Sequence, residues 1–340
     1  MLFSYYMEPF KKPARCIIET DYKCNLKCQS CSLWKEDYRK LRGEGKGALK
    51  TEELEVLHEK LAAFGVKRTT YIGGEPFLNE DILKLALDAK AKGIIPNTVT
   101  NGNALTREAI KEITGKGLFN TMIFSLDGPK NIHNFIRGSN DAFQKVFEAL
   151  KTLRVIKAQK KLKYPKLFVY VTVSKLNYKY LEEAYRLAKS VNANRIRFQL
   201  ASALTPEILA ETNKILGFEA VKTHSYLNAL GLAPEELEKA KKTLRKIKAV
   251  SKNGLKIETE SVLDGTENKN CRFIGRDFVI TPSGNVLLCP MLTNFTAGNV
   301  KTENLQEIFS KNMKKTGMIL ALADSGKLPV CRQCCVEKII

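Results

Sequence analysis

Short β-branched runs alternate with longer amphipathic stretches through the first two hundred residues, the pattern of repeated βα units around a parallel sheet. Strands are predicted at 14–20, 68–72, 95–100, 120–126, 166–174 and 194–200. Helices are predicted at 51–63, 79–92, 105–116, 142–156 and 178–190, with Thr51, Thr106 and Asn140 as opening caps. Six units of this kind make an open sheet or an incomplete barrel. In either, ligands gather at the carboxyl ends of the strands.

The pattern changes after residue 203. Residues 204–251 read as helical and Lys-rich, a connector or lid whose clearest helix is EELEKAKKTLRKIKAV. Two apolar runs then flank Pro282-Ser283-Gly284-Asn285, a hairpin signal with turn residues at its tip. The expected organisation is therefore an α/β unit over 1–203, the connector over 204–251 and a small β-rich α+β domain over 252–340.

Composition narrows the class. The 340 residues are 44% apolar, enough for a large core. No stretch of about 18 apolar residues runs without a charge, and the start of the chain carries no apolar segment followed by a small-residue cleavage site. A soluble, cytoplasmic protein is expected. Lys and Arg number 56 against 36 Asp and Glu, a formal charge of +20 that suits polyanions such as nucleic acid or anionic lipid. A Lys- and Glu-rich surface adapted to heat accounts for the same numbers. The basic residues Lys241, Arg245 and Lys248 fall at helical spacing on one face.

Nine cysteines, clustered rather than dispersed, point to metal ligation rather than disulfides. Cys24, Cys28 and Cys31 follow the first predicted strand within eight residues. A four-iron cluster ordinarily takes four cysteines, so three leave one iron open to a substrate or cofactor. Structural zinc, the alternative, wants four ligands, and His58, His133 and His224 form no ligand motif nearby. Cys271, Cys289, Cys331 and Cys334 gather in the last seventy residues around the hairpin, a second site for a cluster or for zinc. Cys335 adjoins Cys334 and could replace it, and Cys16 lies within the first strand as a small buried apolar residue.

The segment Cys24-Asn25-Leu26-Lys27-Cys28-Gln29-Ser30-Cys31 resembles the CxxxCxxC loop of the radical S-adenosylmethionine (SAM) enzymes, whose fold is a partial (β/α)6 barrel. The resemblance continues in order through Gly73-Gly74-Glu75-Pro76 after the second strand, Thr100-Asn101-Gly102 after the third and Ser125-Leu126-Asp127-Gly128 after the fourth. It implies that Gly73, Gly74, Glu75 and Pro76 receive the methionyl amino group, and that Asn101, Ser125 and Asp127 belong to the cofactor site. A glycine pair permits close backbone approach, Glu75 can accept from an ammonium group, and Ser125 and Asp127 offer oxygens to a ribose hydroxyl. A tight turn at Gly73-Gly74 and ordinary turn chemistry at Asp127-Gly128 are the plainer readings. Many members carry an aromatic residue just before the third cysteine, where this chain has Ser30. His133 and Arg137-Gly138 resemble a stretch common in members with an auxiliary domain and are assigned no catalytic role.

The C-terminal cysteines, with Gly298-Asn299-Val300 and the helix that follows, resemble the auxiliary-cluster domains called SPASM or twitch. The resemblance implies two 4Fe-4S clusters, the auxiliary one on Cys271, Cys289, Cys331 and Cys334. It further implies reductive cleavage of SAM to a 5′-deoxyadenosyl radical, hydrogen abstraction from a substrate carbon, and a reductant such as flavodoxin or ferredoxin. Relatives with such domains most often modify peptide or protein side chains, so a peptide is the first expected substrate. A cofactor precursor, a lipid and a tRNA nucleoside follow. The competing classes are a two-cluster electron-transfer protein, which needs no GGEP or SLDG loops, and a zinc-stabilised nucleic-acid-binding module.

Overall fold

The computed structural model describes residues 12–31, 33–34, 47–201, 204–221, 230–251, 254–264, 271, 273–332 and 334. Its six leading strands lie within two residues of the positions the periodicity predicts: β1 (Arg15–Glu19), β2 (Arg68–Ile72), β3 (Ile95–Thr100), β4 (Thr121–Ser125), β5 (Lys166–Val173) and β6 (Arg195–Leu200). They pair in chain order and all in parallel, the strand order of a partial barrel.

The later chain lengthens this sheet at both edges. β7 (Lys256–Thr259) adds in parallel to β6, and β8 (Asp277–Ile280) adds in parallel to β1. β9 (Asn285–Leu287) and β10 (Gly298–Asn299) continue antiparallel beyond β8, giving ten strands in the order β10-β9-β8-β1-β2-β3-β4-β5-β6-β7. Register pairs Arg15 with Asp277, and the Arg15 guanidinium bonds that carboxylate at 2.5 Å. Burial nevertheless pushes the Asp277 acid up to about 6, against the pull of Arg15.

Helices α1 (Thr51–Phe64), α2 (Ile82–Ala91), α3 (Arg107–Lys116), α4 (Lys130–Arg137), α5 (Ala142–Gln159) and α6 (Leu181–Ser190) connect the strands. Helices α7 (Pro206–Leu216) and α8 (Pro234–Val250) occupy the connector, and α9 (Leu305–Lys311) and α10 (Met313–Asp324) follow β10. Leu54, Leu57 and Leu61 of α1 recur at helical spacing and bury almost completely, each such burial contributing about 1.5–3 kcal/mol. Phe64 closes that face by stacking on Phe309 of α9 with ring centroids 5.1 Å apart, so the C-terminal segment shares the main core.

The helix starts correct two expectations. Thr106 caps α3 by accepting from the Ala109 N–H at 3.1 Å, but Thr51 is already helical and α1 starts from Lys50, whose N–H donates to Glu53. Asp141 rather than Asn140 precedes α5, because Asn140 is used earlier, its carbonyl accepting from Asn134. Helix α4 was not expected at all. It is eight residues long and leaves Phe135 exposed, too brief and too mixed for periodicity to register.

Candidate active site

Beyond β1 the chain enters a loop that two neighbours clamp. On one side, the Thr20 N–H and hydroxyl both donate to the Ile72 carbonyl, at 2.9 and 3.1 Å. Gly74 N–H then donates to Asp21 at 2.7 Å and Glu75 N–H to Lys23 at 2.9 Å. The Gly73-Gly74 pair is thus explained by backbone against backbone: a side chain on either glycine would run into the carbonyls of Asp21 or Lys23. On the other side, Gln29 N–H donates to Ile136 at 2.8 Å, and Gly138 (φ 63°) ends α4 so close to Lys27 that a Cβ would lie 2.5 Å from its carbonyl oxygen.

Held this way, Cys24, Cys28 and Cys31 come together around Leu26 and Ala142 in one small apolar cluster. Burial pushes the Cys24 thiol up and that of Cys31 to about 11, with Cys28 adding to both shifts and Cys24 to that of Cys31. Two N–H groups aim at the sulfurs: Asn101 Nδ2 lies 3.7 Å from Cys24 Sγ, and Arg137 Nη1 lies 3.7 Å from Cys28 Sγ. The Trp34 indole N–H donates to the Cys28 carbonyl at 2.8 Å. Three thiols on one patch with donors on two of their sulfurs fit an iron–sulfur cluster, whose ligands need such partners. Among the described residues no three His, Cys, Asp or Glu side chains converge where a single ion would sit, as a zinc site with bonds of about 2.3 Å to each thiolate requires.

Next to this loop stands Glu75, 3% exposed. Its carboxylate accepts from Phe77 N–H at 3.2 Å, Thr100 Oγ1 at 2.6 Å and Asn101 N–H at 2.7 Å. Burial pushes its pKa up from the ordinary carboxylate value, and these three donors with the Arg137 charge oppose the rise. A carboxylate offers about four acceptor positions, so one remains. Pro76 opens a short turn at the Glu75 cap, fixing the direction in which the chain leaves. Thr100, part of the Thr100-Asn101-Gly102 motif but given no role from sequence, ties the second and third loops together, since its hydroxyl also accepts from Gly102 N–H at 2.9 Å. Its position directly before Asn101-Gly102 was the available signal. Asn101 itself bridges to Asn25 at 2.8 Å.

Ser125 stands half-buried at the carboxyl end of β4, opposite Tyr170. Asp127, expected to present oxygens to a ribose hydroxyl, is instead turned inward and is 1% exposed. Its carboxylate accepts from Arg137 Nε at 2.7 Å and Thr172 N–H at 3.2 Å. Its N–H donates to His133 Nδ1 at 3.1 Å, and burial followed by the Arg137 charge pushes the His133 pKa down to about 4, so the ring is neutral at pH 7. Arg137 is the functional candidate that spacing could not assign, because only the fold places it beside Cys28.

The second cysteine group also assembles. Cys289 is buried in the main core, Cys271 and Cys331 pack against it, and Cys271 and Cys334 each pack against the cluster of Ile17, Phe273, Val279 and Leu287. Burial raises the Cys331 thiol, and neighbouring Cys289 and Cys271 raise it further. Burial likewise raises Cys271, whose N–H donates to Asp324 at 2.6 Å. Cys289 follows antiparallel β9 and so leaves the sheet toward the amino end of β8, whereas the first loop leaves β1 at its carboxyl end. Cys335 lies outside the described residues. Cys16 is buried in the core of β1.

Comparison with known proteins agrees with this geometry. The radical SAM superfamily model matches residues 18–188, and the model of the SPASM iron-sulfur cluster-binding domain matches residues 271–335. Fe-coproporphyrin III synthase of Methanosarcina barkeri is 34% identical over 128 residues, 38% of this chain and 31% of that protein. PqqA peptide cyclase of Bradyrhizobium diazoefficiens is 30% identical over 147 residues, 43% of this chain and 37% of that protein. The matched region thus spans about a third of these curated relatives. Streptococcus suis SuiB bound to S-adenosylmethionine superposes with a TM-score of 0.69 at 16% identity, over 95% of this chain and 72% of that one. Native anSMEcpe with bound AdoMet and Cp18Cys peptide gives 0.65 at 21% identity, over 92% and 84%. At these identities the superpositions establish the fold.

Proposed function

Because the chain belongs to the radical SAM superfamily, we propose that it applies that family's chemistry to a peptide or protein side chain. The observation that carries the substrate class is the pairing, in one chain, of the radical SAM match with a SPASM match over 271–335. Support comes from the PqqA peptide cyclase relative, and from the shared fold of SuiB, also solved bound to precursor peptide SuiA, and of anSMEcpe.

Cys24, Cys28 and Cys31 would hold the first 4Fe-4S cluster, their three thiolates leaving one iron for S-adenosylmethionine. Cys271, Cys289, Cys331 and Cys334 would hold the auxiliary one. When bound, the reduced cluster supplies one electron that splits S-adenosylmethionine into methionine and a 5′-deoxyadenosyl radical, which takes a hydrogen atom from a substrate carbon. The chain's residues hold the reactants and exclude water. Gly73, Gly74 and Pro76 shape the turn for the methionyl end, and the remaining acceptor position of Glu75 meets its ammonium group. Asn101 fixes the adjoining loop. Ser125 offers the hydroxyl at the β4 rim, with Asp127 behind it as a support. A low-potential donor such as flavodoxin or ferredoxin in the cytoplasm would supply the electron. Among the described residues, no helix is long and apolar enough to cross a membrane.

The Fe-coproporphyrin III synthase relative favours a second reading, modification of a cofactor precursor. The test is mass spectrometry of defined peptides, and separately of a tetrapyrrole precursor, after incubation with the reduced holoenzyme and S-adenosylmethionine. A peptide mass change with matching 5′-deoxyadenosine is expected. Change in the tetrapyrrole alone would transfer the assignment.

A further inference from the structure

Arg137 is the last residue of α4, and two partners fix its guanidinium. Nε donates to Asp127 Oδ2 at 2.7 Å, and Nη1 lies 3.7 Å from Cys28 Sγ. Asp127 is itself immobilised by Thr172 N–H on its other oxygen, by His133 on its N–H and by Asn177 Nδ2 on its carbonyl at 3.0 Å. The carboxylate is wholly buried, Cys28 is 7% exposed and the Arg137 side chain 13%. Charges at such a site act in a medium far less screening than water.

The contact is also braced along the chain. Ile136, just before Arg137, accepts from Gln29, just after Cys28, and Gly138, just after Arg137, abuts Lys27, just before Cys28. An ion pair that only supported the fold would need its carboxylate and nothing more. Here Asp127 engages one edge of the guanidinium and directs another at a sulfur.

We propose that Arg137, fixed by Asp127, is a positioning residue that holds the Cys28 thiolate and raises the reduction potential of the cluster on Cys24, Cys28 and Cys31. Reduction adds one electron to the cluster, supplied by an external donor, and calls for no proton. The reduced state is more negative by one charge, so a buried cation and an N–H donor at a ligand sulfur stabilise it more than the oxidised state. Asp127 offsets the cost of burying the cation while leaving Nη1 to the sulfur. The inference rests on the cluster assignment and is independent of the substrate.

The experiment is an anaerobic redox titration of the reconstituted full chain without substrate, followed by electron paramagnetic resonance. The first-site signal is identified as the one that added S-adenosylmethionine perturbs. In Arg137→Met the reduced-to-oxidised ratio at the wild-type midpoint should fall at least tenfold, equivalent to about 59 mV for a one-electron couple. Arg137→Lys keeps the charge and should fall less, and the auxiliary-site midpoint should stay in place in both. A ratio within twofold of wild type in Arg137→Met, with first-site iron intact, overturns the proposal. So does loss of first-site iron from both variants with auxiliary iron retained, which would make Arg137 a mechanical support of the loop.

Discussion

The carbonyl of Lys23 occupies the space that a side chain on Gly74 would fill. The turn after β2 and the cysteine loop after β1 therefore touch backbone to backbone, and the donation from Glu75 N–H to Lys23 seals the contact. Gly74→Ala must push the loop away. The expected result is loss of the first-site iron, about half of the total if each site holds four, with a destabilisation of about 1–3 kcal/mol from the overpacking. Iron analysis and a thermal melt of the reconstituted variant check both parts.

Glu75 separates ligand binding from metal binding. Its three donors, Phe77 N–H, Thr100 Oγ1 and Asn101 N–H, serve the loops, and among the described residues no cysteine forms a hydrogen bond to its carboxylate. Glu75→Ala should weaken S-adenosylmethionine binding at least tenfold while the first-site iron stays. Stranding the buried donors should also lower stability by about 1–3 kcal/mol. Calorimetry on the iron-loaded variant measures the first, and unchanged affinity would reduce the motif to a turn.

Local pattern carried the first half of this fold. Strand β5 is a run of β-branched and aromatic residues that hardly reads otherwise, and Cys24, Cys28 and Cys31 lie within one loop, so their convergence needed no long-range information. What escaped was non-local. Nothing near Asp277 announces that β8 would pair in parallel with β1, some 260 residues earlier. Asp127-Gly128 offers the same residue types whether its carboxylate faces a ribose or, as found, an arginine ten residues on. The direction of a side chain at a strand end is set by its neighbours in space, and the sequence shows those only in chain order.

His133 gives a pH signature. Its folded pKa of about 4 lies below the ordinary 6.5, so between those values the unfolded chain binds more protons and stability rises with pH. The contribution is complete above about 6.5 and is lost as the pH falls toward 4, on the order of 3 kcal/mol across that window. Asp277, raised to about 6, acts in the opposite sense but equally in wild type and variant. His133→Gln should therefore flatten the fall in melting temperature between pH 7 and pH 4.5 relative to wild type. Parallel curves for the two proteins would contradict a buried neutral ring.

Part of the charge of +20 lies on α8, where Lys239, Lys242, Arg245 and Lys246 are exposed. Lys241 bonds Glu238 at 2.7 Å, and Lys248 is held by Thr259 and Asp264, so two of the three basic residues at helical spacing are already paired. Labelled tRNA and anionic liposomes should accordingly bind no tighter than about 10 μM at physiological salt, the range of non-specific contact. Submicromolar binding abolished by charge reversal at Lys241, Arg245 and Lys248 would return RNA or lipid to the head of the substrate classes.

The most direct measurement is the yield of 5′-deoxyadenosine when the reconstituted chain is reduced with dithionite in the presence of S-adenosylmethionine, alongside a chain with Cys24, Cys28 and Cys31 all changed to Ala. The wild type should hold about eight irons and form 5′-deoxyadenosine, while the triple variant should keep about four irons at the C-terminal cysteines and form none. A wild type loaded at both sites that leaves S-adenosylmethionine intact, or a triple variant that cleaves it equally well, would contradict the account.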